Sequence, residues 1–184
     1  MHDDEQLKLI LERLHERHVG LTPAFAGTLT ESASVCLSRH YSSPVEVGVT
    51  VGADNKSYVV EFQQPDAITM NTYANDIDAT ESGAYGICLA AVEAEERLVA
   101  VRRAETLKGA DWYVAPVGAN PGDLEDCYRL EVSGLDAGNR AAVQARLKQK
   151  VEQTRRGASN LPAIASVVGF RELAIAIQKV SEAE

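Results

Sequence analysis

A carboxylate occupies the middle of a predicted strand at residues 128–135, YRLEVSGL. Apolar and polar side chains alternate there, which predicts a strand with Glu131 and Ser133 on the same face. A buried carboxylate without a partner costs several kcal/mol or shifts its pKa until it is neutral. Glu131 therefore needs a positive partner, either Arg129 on the same face or a bound metal ion.

Two further carboxylates lie at the edges of predicted apolar surfaces. Asp111 enters the strand predicted in GADWYVAPV and shares a face with Tyr113. In a helix predicted from Ala79, Glu81 lies one turn before a stripe of small apolar residues, namely Ala84, Cys88 and Ala91. Both carboxylates also have a purely structural explanation, because Glu is favoured near a helix N-terminus and Asp is common in turns.

Three such carboxylates in one helix and two strands indicate a site for a divalent cation. Converging carboxylates repel one another unless a cation neutralises them, and hard oxygen ligands suit Mg²⁺. A bound Mg²⁺ activates water and stabilises the charge that develops on a phosphate during transfer. Chemistry on phosphate esters is therefore one interpretation of this pattern.

The distribution of charge is uneven along the chain. The 184 residues carry a formal net charge of −9, which disfavours a protein that depends on general attraction to phosphate. A basic helix at 140–156 is nevertheless a candidate surface for a nucleic-acid backbone, with a solvated helix face as the alternative. Aromatic residues make up only 5% of the chain, so binding of single strands by base stacking is not expected. Against the single acid Glu152, this helix carries Arg140, Arg146, Lys148, Lys150, Arg155 and Arg156.

Composition predicts a cytoplasmic protein without membrane association. Cys36, Cys88 and Cys127 are scattered singly, which argues against a disulfide framework or a zinc site and favours a reducing compartment. The sequence has no run of about 18 apolar residues and no signal-peptide pattern at its start. A homodimer and a protein partner both remain open.

The order of elements predicts a single α/β domain over residues 1–184, with an N-terminal elaboration over residues 1–70. From residue 78 to 180 the pattern is a helix, three strands, a helix capped by Asn139, a strand, and a closing helix or strand. In the elaboration we expect helices at 5–18 and 29–41, the second with Thr30 as its cap, strands at 44–51 and 58–62 joined by a turn at 52–57, and a loop at 63–78.

This order of elements resembles the PD-(D/E)XK superfamily of restriction-endonuclease-like nucleases. The resemblance includes Glu81 on the first helix, Asp111 at the entry of the middle strand and Glu131-Val132-Ser133 on the next strand. The resemblance covers about residues 78–170, and the phrases ATESGAYG, GADWYV, YRLEVSGL and RLKQKVEQT also resemble a bacterial family built on that core. It implies an α-β-β-β-α-β core with a central mixed sheet flanked by helices. It also implies that Asp111 and Glu131 hold Mg²⁺ or Mn²⁺ together with the backbone carbonyl of Val132, while Glu81 acts as a supporting acid.

Ser133 departs from the superfamily pattern, because it stands where a lysine normally orients or deprotonates the attacking water. Lys150 is the candidate replacement, since it lies seven residues after Val143 and near the same helix face. Gln153, one turn on, is a candidate for orienting water or phosphate. The alternative for Lys150 is a surface lysine whose ammonium reaches solvent.

Two functions follow from the resemblance, and an unrelated interaction protein in which the motif arises by chance is the remaining alternative. The first is a Mg²⁺-dependent phosphodiesterase, a DNA nuclease of a bacterial defence or mobile-element system, whose helix 140–156 meets the backbone through Arg140, Arg146, Lys148, Arg155 and Arg156. The second is a nuclease-fold module without catalysis that serves as a binding or scaffold subunit. Ser133 and the acidic net charge favour the second.

Overall fold

The computed structural model describes residues 6–105, 109–156 and 159–180 and shows an α/β fold. An eight-stranded mixed sheet has the strand order β1-β3-β2-β8-β7-β6-β5-β4. The strands are β1 (Lys8–Leu9), β2 (Val45–Val51), β3 (Asp54–Val60), β4 (Leu98–Arg103), β5 (Trp112–Pro116), β6 (Tyr128–Leu135), β7 (Ala163–Gly169) and β8 (Ala174–Val180). The helices are α1 (Leu14–Arg17), α2 (Pro23–Ser38), α3 (Ala67–Thr72), α4 (Asp76–Glu96) and α5 (Arg140–Arg155).

Helices cover both faces of the sheet. The larger core lies between the sheet and α2 and α4, and it includes Leu130 and Val132 of β6. A second cluster lies under α5, where three residues at helical spacing, Val143, Leu147 and Val151, pack on β7 and β8. From α4 to β7 the elements follow in the predicted order of helix, three strands, helix and strand. No helix within the described residues is long and apolar enough to cross a membrane.

The unequal lengths of β5 and β6 leave one side of β6 open. β6 pairs with β7 from Arg129, which lies opposite Ala163, to Leu135, which lies opposite Gly169. Its pairing with β5 begins only at Leu130, which lies opposite Trp112, and runs back toward Tyr128. Residues 131–135 therefore have a neighbouring strand on one side and no β5 residue paired on the other.

Close contact between α4 and β6 depends on Gly134. A β-carbon built on Gly134 would lie 2.6 Å from the Thr80 carbonyl oxygen and 3.0 Å from the Ala84 β-carbon. Such a distance to a backbone atom is shorter than any normal contact, so a side chain here would push the helix away. The glycine thus lets the first turns of α4 lie against the open end of β6.

The prediction of a helix over residues 5–18 is wrong. Leu9 and Leu11 are buried while Leu7 and Ile10 are exposed, so burial alternates with the period of an extended chain. β1 pairs with β3 in this segment, and the helix is confined to the single turn of α1. Pairing with a distant strand therefore overrides the helical spacing of the local sequence.

Three boundaries also differ from those predicted. α2 begins at Pro23 rather than near Thr30, because Thr22 caps it by accepting the Phe25 N–H at 3.2 Å. The hairpin itself is confirmed, but its turn is shorter than predicted, since β3 begins at Asp54. The segment expected to be a loop at 63–78 contains α3 and the start of α4.

Candidate functional site

A cleft of about 520 Å³ opens beside the unpaired part of β6. It is lined by side chains of α4 and α5, by the residue that precedes β5, and by β6 itself. The residues predicted from the sequence that line it are Glu81, Asp111, Glu131, Val132, Ser133, Arg146 and Lys150. The fold therefore brings these residues, which span 70 positions of the sequence, to one surface.

Asp111 is the residue directly before β5, and it continues the hydrogen bonding of that strand to β6. Its N–H donates to the Leu130 carbonyl at 2.8 Å, and its Oδ2 accepts the Val132 N–H at 2.8 Å. The side chain thus continues the hydrogen bonding of the strand edge. Asp111 lies directly before β5 rather than within it, and its Oδ1 accepts from Tyr85 on α4.

Tyr85 connects two of the predicted carboxylates. Its hydroxyl oxygen lies 2.7 Å from Glu81 Oε1 and 2.8 Å from Asp111 Oδ1. Burial raises the pKa of the Tyr85 phenol, and the negative charge of Asp111 raises it further, so the group keeps its proton at neutral pH. The Arg103 guanidinium donates to the same oxygen at 3.1 Å and stacks on the Tyr85 ring, 4.4 Å from its centroid.

Glu131 is buried and paired with a lysine. Lys150 Nζ donates to Glu131 Oε1 at 2.7 Å, and the two side chains are 18% and 7% exposed. Burial raises the pKa of Glu131 and the charge of Asp111 adds to this, while Lys150 opposes both effects. Arg129 does not provide the partner considered from the sequence, because its Nε donates to the Leu161 carbonyl at 3.2 Å. Gln153 accepts from Lys150 Nζ at 3.3 Å and is itself exposed.

Ser133 also contacts a cation of α5. Its Oγ accepts from Arg146 Nη1 at 3.3 Å, and Arg146 lines the cleft beside Lys150. These two basic side chains are four residues apart and so lie on the same helix face. The cleft therefore has a basic wall from α5 that faces the acidic residues of α4 and of the segment before β5.

The other basic residues of α5 do not converge on the cleft. Lys148 and Arg156 line a shallow hollow on another side of the helix together with Gln153. Arg155 pairs with Glu152 at 3.0 Å. Arg140 lies at the opposite end of α5, in a pocket beside β2. Of the five residues predicted to contact nucleic acid, Arg146 is the one that lines the cleft.

The cleft is lined by oxygen donors, although few of them belong to the cation ligands predicted from the sequence. Within the described residues, no group of three or more His, Cys, Asp or Glu side chains is arranged to hold a metal ion. The predicted set is smaller and consists of the Asp111 and Glu131 carboxylates with the Val132 carbonyl. The N–H and C=O of one strand residue point to the same side, so this carbonyl faces the side on which Asp111 lies. Mg²⁺ prefers oxygen ligands and keeps several waters, so one or two protein carboxylates are enough to hold it.

The sequence pattern did not single out two residues of this site. Tyr85 follows Glu81 by four positions, so helical spacing alone places the two on one face and offers a usable signal. Arg103 carries no such signal, because it ends β4 and meets Tyr85 only through the packing of β4 against α4.

Comparison of the chain with protein-family models, with curated proteins and with solved structures gave no significant match.

Proposed function

We propose that this protein is a Mg²⁺- or Mn²⁺-dependent phosphodiesterase that acts on DNA, with a core of the PD-(D/E)XK type over about residues 78–170. The observation that carries the proposal is the contact of Lys150 with Glu131 at 2.7 Å. A lysine from α5 thus stands beside the carboxylate whose own strand has Ser133 in place of the expected lysine. The element order from α4 to β7 also supports this core.

The residues divide into cation ligands and groups that meet the phosphate. Asp111, Glu131 and the Val132 carbonyl are the ligands, and a divalent cation bound there supplies a water of lowered pKa and offsets charge on the phosphate. Lys150 orients the attacking water and stabilises the charge that develops on the phosphate oxygens. Arg146 lines the cleft and holds the adjacent phosphate, since its planar guanidinium can donate two hydrogen bonds to one phosphate group.

The second candidate function is a module of the same fold without catalysis, acting as a binding or scaffold subunit. The same ion pair favours it, because Lys150 neutralises Glu131 without any bound cation. The net charge of −9 also opposes general attraction to nucleic acid. The two functions differ in whether a divalent cation binds and whether DNA is cut.

A cleavage assay tests the proposal with substitutions that keep side-chain size. Supercoiled and linear DNA are incubated with Mg²⁺ or Mn²⁺ and with wild type, Asp111→Asn, Glu131→Gln or Glu46→Gln. Glu46 is a matched control because it lies exposed on β2, outside the cleft. We expect a loss of about 100-fold or more in the first two variants and none in the control. Equal cleavage by all four proteins excludes the site, and no cleavage by wild type favours the scaffold.

A separate measurement tests cation binding without relying on activity. A ligand that binds only the native state raises the free energy of unfolding by mass action, by about 2.7 kcal/mol at a hundredfold excess over the dissociation constant. We expect Mg²⁺ to raise the melting temperature of wild type and of Glu46→Gln, but not of Asp111→Asn. An equal rise in all three proteins places the cation elsewhere.

A further inference from the structure

The hydroxyl of Tyr85 faces more acceptors than it can serve. Its oxygen lies 2.7 Å from Glu81 Oε1 and 2.8 Å from Asp111 Oδ1, and both are hydrogen-bonding distances. A phenol has one proton, so it donates fully to one carboxylate at a time. A third neighbour, Arg103 Nη2 at 3.1 Å, is itself a donor and supplies no acceptor.

The surroundings hold the Tyr85 oxygen between the two carboxylates. Tyr85 is 5% exposed and meets the Trp112 ring edge-on, with the centroids 6.2 Å apart. The Arg103 guanidinium stacks on both rings, 4.4 Å from the first centroid and 4.8 Å from the second. Because the ring is packed in this way, the proton changes partner by rotation of the O–H bond alone.

The two acceptors differ in what else they do. Asp111 already accepts the Val132 N–H through Oδ2, so a cation bound to Oδ1 competes with the Tyr85 hydrogen bond. Glu81 lies at the exposed rim of the cleft, four residues before Tyr85 on the same helix face. It therefore remains available as an acceptor when Asp111 is engaged.

We propose that Tyr85 is a hydrogen-bond switch that donates to Asp111 when the site is empty of cation and to Glu81 when a divalent cation binds Asp111. The inference rests on the proposed function, because it assumes that Asp111 is a ligand. Glu81 then sets the cation affinity as a positioning residue that does not touch the cation. Glu81 accepts the hydrogen bond of the Tyr85 hydroxyl, which would otherwise lose its acceptor when the cation binds Asp111.

The test separates the loss of an acceptor from the loss of a charge. In Glu81→Gln the amide oxygen still accepts from Tyr85, whereas in Glu81→Ala the acceptor is gone, and Ala is well tolerated at an exposed helix position. Mn²⁺ and Mg²⁺ affinities are measured by titration calorimetry for wild type, both Glu81 variants, Tyr85→Phe and the two double variants. Thermal unfolding without cation verifies that each variant folds.

We expect Glu81→Ala to bind cation about tenfold more weakly than Glu81→Gln, as the loss of one hydrogen bond from the Tyr85 hydroxyl to a side-chain amide oxygen predicts. In the Tyr85→Phe background the two Glu81 variants should bind equally, because there is no hydroxyl to redirect. If Glu81→Gln and Glu81→Ala bind cation equally while Tyr85 is still present, the switch is overturned and the proposed function is left intact. A tenfold difference that persists with Phe at position 85 assigns the effect to Glu81 alone. Absence of cation binding by wild type overturns both proposals.

Discussion

Replacing Lys150 with methionine removes the ammonium from the cleft and keeps most of the hydrocarbon stem. The side chains of the Lys150–Glu131 pair are 18% and 7% exposed, so solvent screens the pair little. Removing one partner of a buried ion pair costs about 3–5 kcal/mol when the other charge stays. Burial has already raised the pKa of Glu131, and the carboxyl can therefore take up a proton and limit this cost. We expect Lys150→Met to lower the free energy of unfolding by roughly 2–3 kcal/mol.

For a chain of this length, that loss lowers the melting temperature by about 4–12 °C. DNA cleavage with Mg²⁺ should fall about 100-fold in kcat, since Lys150 acts on the attacking water and on the developing charge. Lys148→Met is the matched control, because Lys148 is exposed, lies two residues away on α5 and does not line the cleft. Its substitution should change the free energy of unfolding by less than about 0.5 kcal/mol.

A double substitution separates the two consequences of Lys150→Met. In the Glu131→Gln background the lysine has no charged partner, so its replacement should cost much less stability than it costs in wild type. If Lys150→Met and Lys148→Met have the same stability and the same kcat, Lys150 is a surface residue. The central argument for catalysis then fails. If stability falls while wild type itself cuts no DNA, the pair is structural and the scaffold function is favoured.

Three further predictions concern the fold that positions the site. Gly134→Ala should destabilise the protein by about 1–3 kcal/mol in urea denaturation, because its β-carbon would meet the backbone of α4 at 2.6 Å. Gly27→Ala should instead stabilise it by about 0.5–1 kcal/mol, since this exposed α2 position has nothing within 4 Å of the added carbon. Burial raises the pKa of Glu93, but hydrogen bonds from His18 and Arg17 outweigh this and leave the pKa below its usual 4.5. Glu93 therefore contributes stability above about pH 4.5 that is lost as pH falls through its folded pKa. The stability advantage of wild type over Glu93→Gln should shrink between about pH 5 and pH 3, and an advantage that grows on acidification contradicts this sign.

Elements that have a regular period of buried and exposed residues were predictable from the sequence. The alternation of YRLEVSGL gave β6 with Leu130 and Val132 in the core, and the apolar spacing after Asn139 gave α5 with its cap. Both patterns follow from the geometry of a single backbone element, so no distant residue is needed to interpret them. The same spacing placed Lys150 near the face of α5 that packs on the sheet, where it meets Glu131.

Tertiary structure alone decided which side chains meet in the cleft. Helical spacing at the N-terminus was overridden by pairing of β1 with β3, and Glu131 found its partner in Lys150, 19 residues away, rather than in Arg129 on its own strand. The open side of β6 exists because β5 starts one residue after Asp111, a matter of the relative lengths of two strands. Such contacts depend on where separate elements end and how they pack, and the period of any one segment carries no information about that.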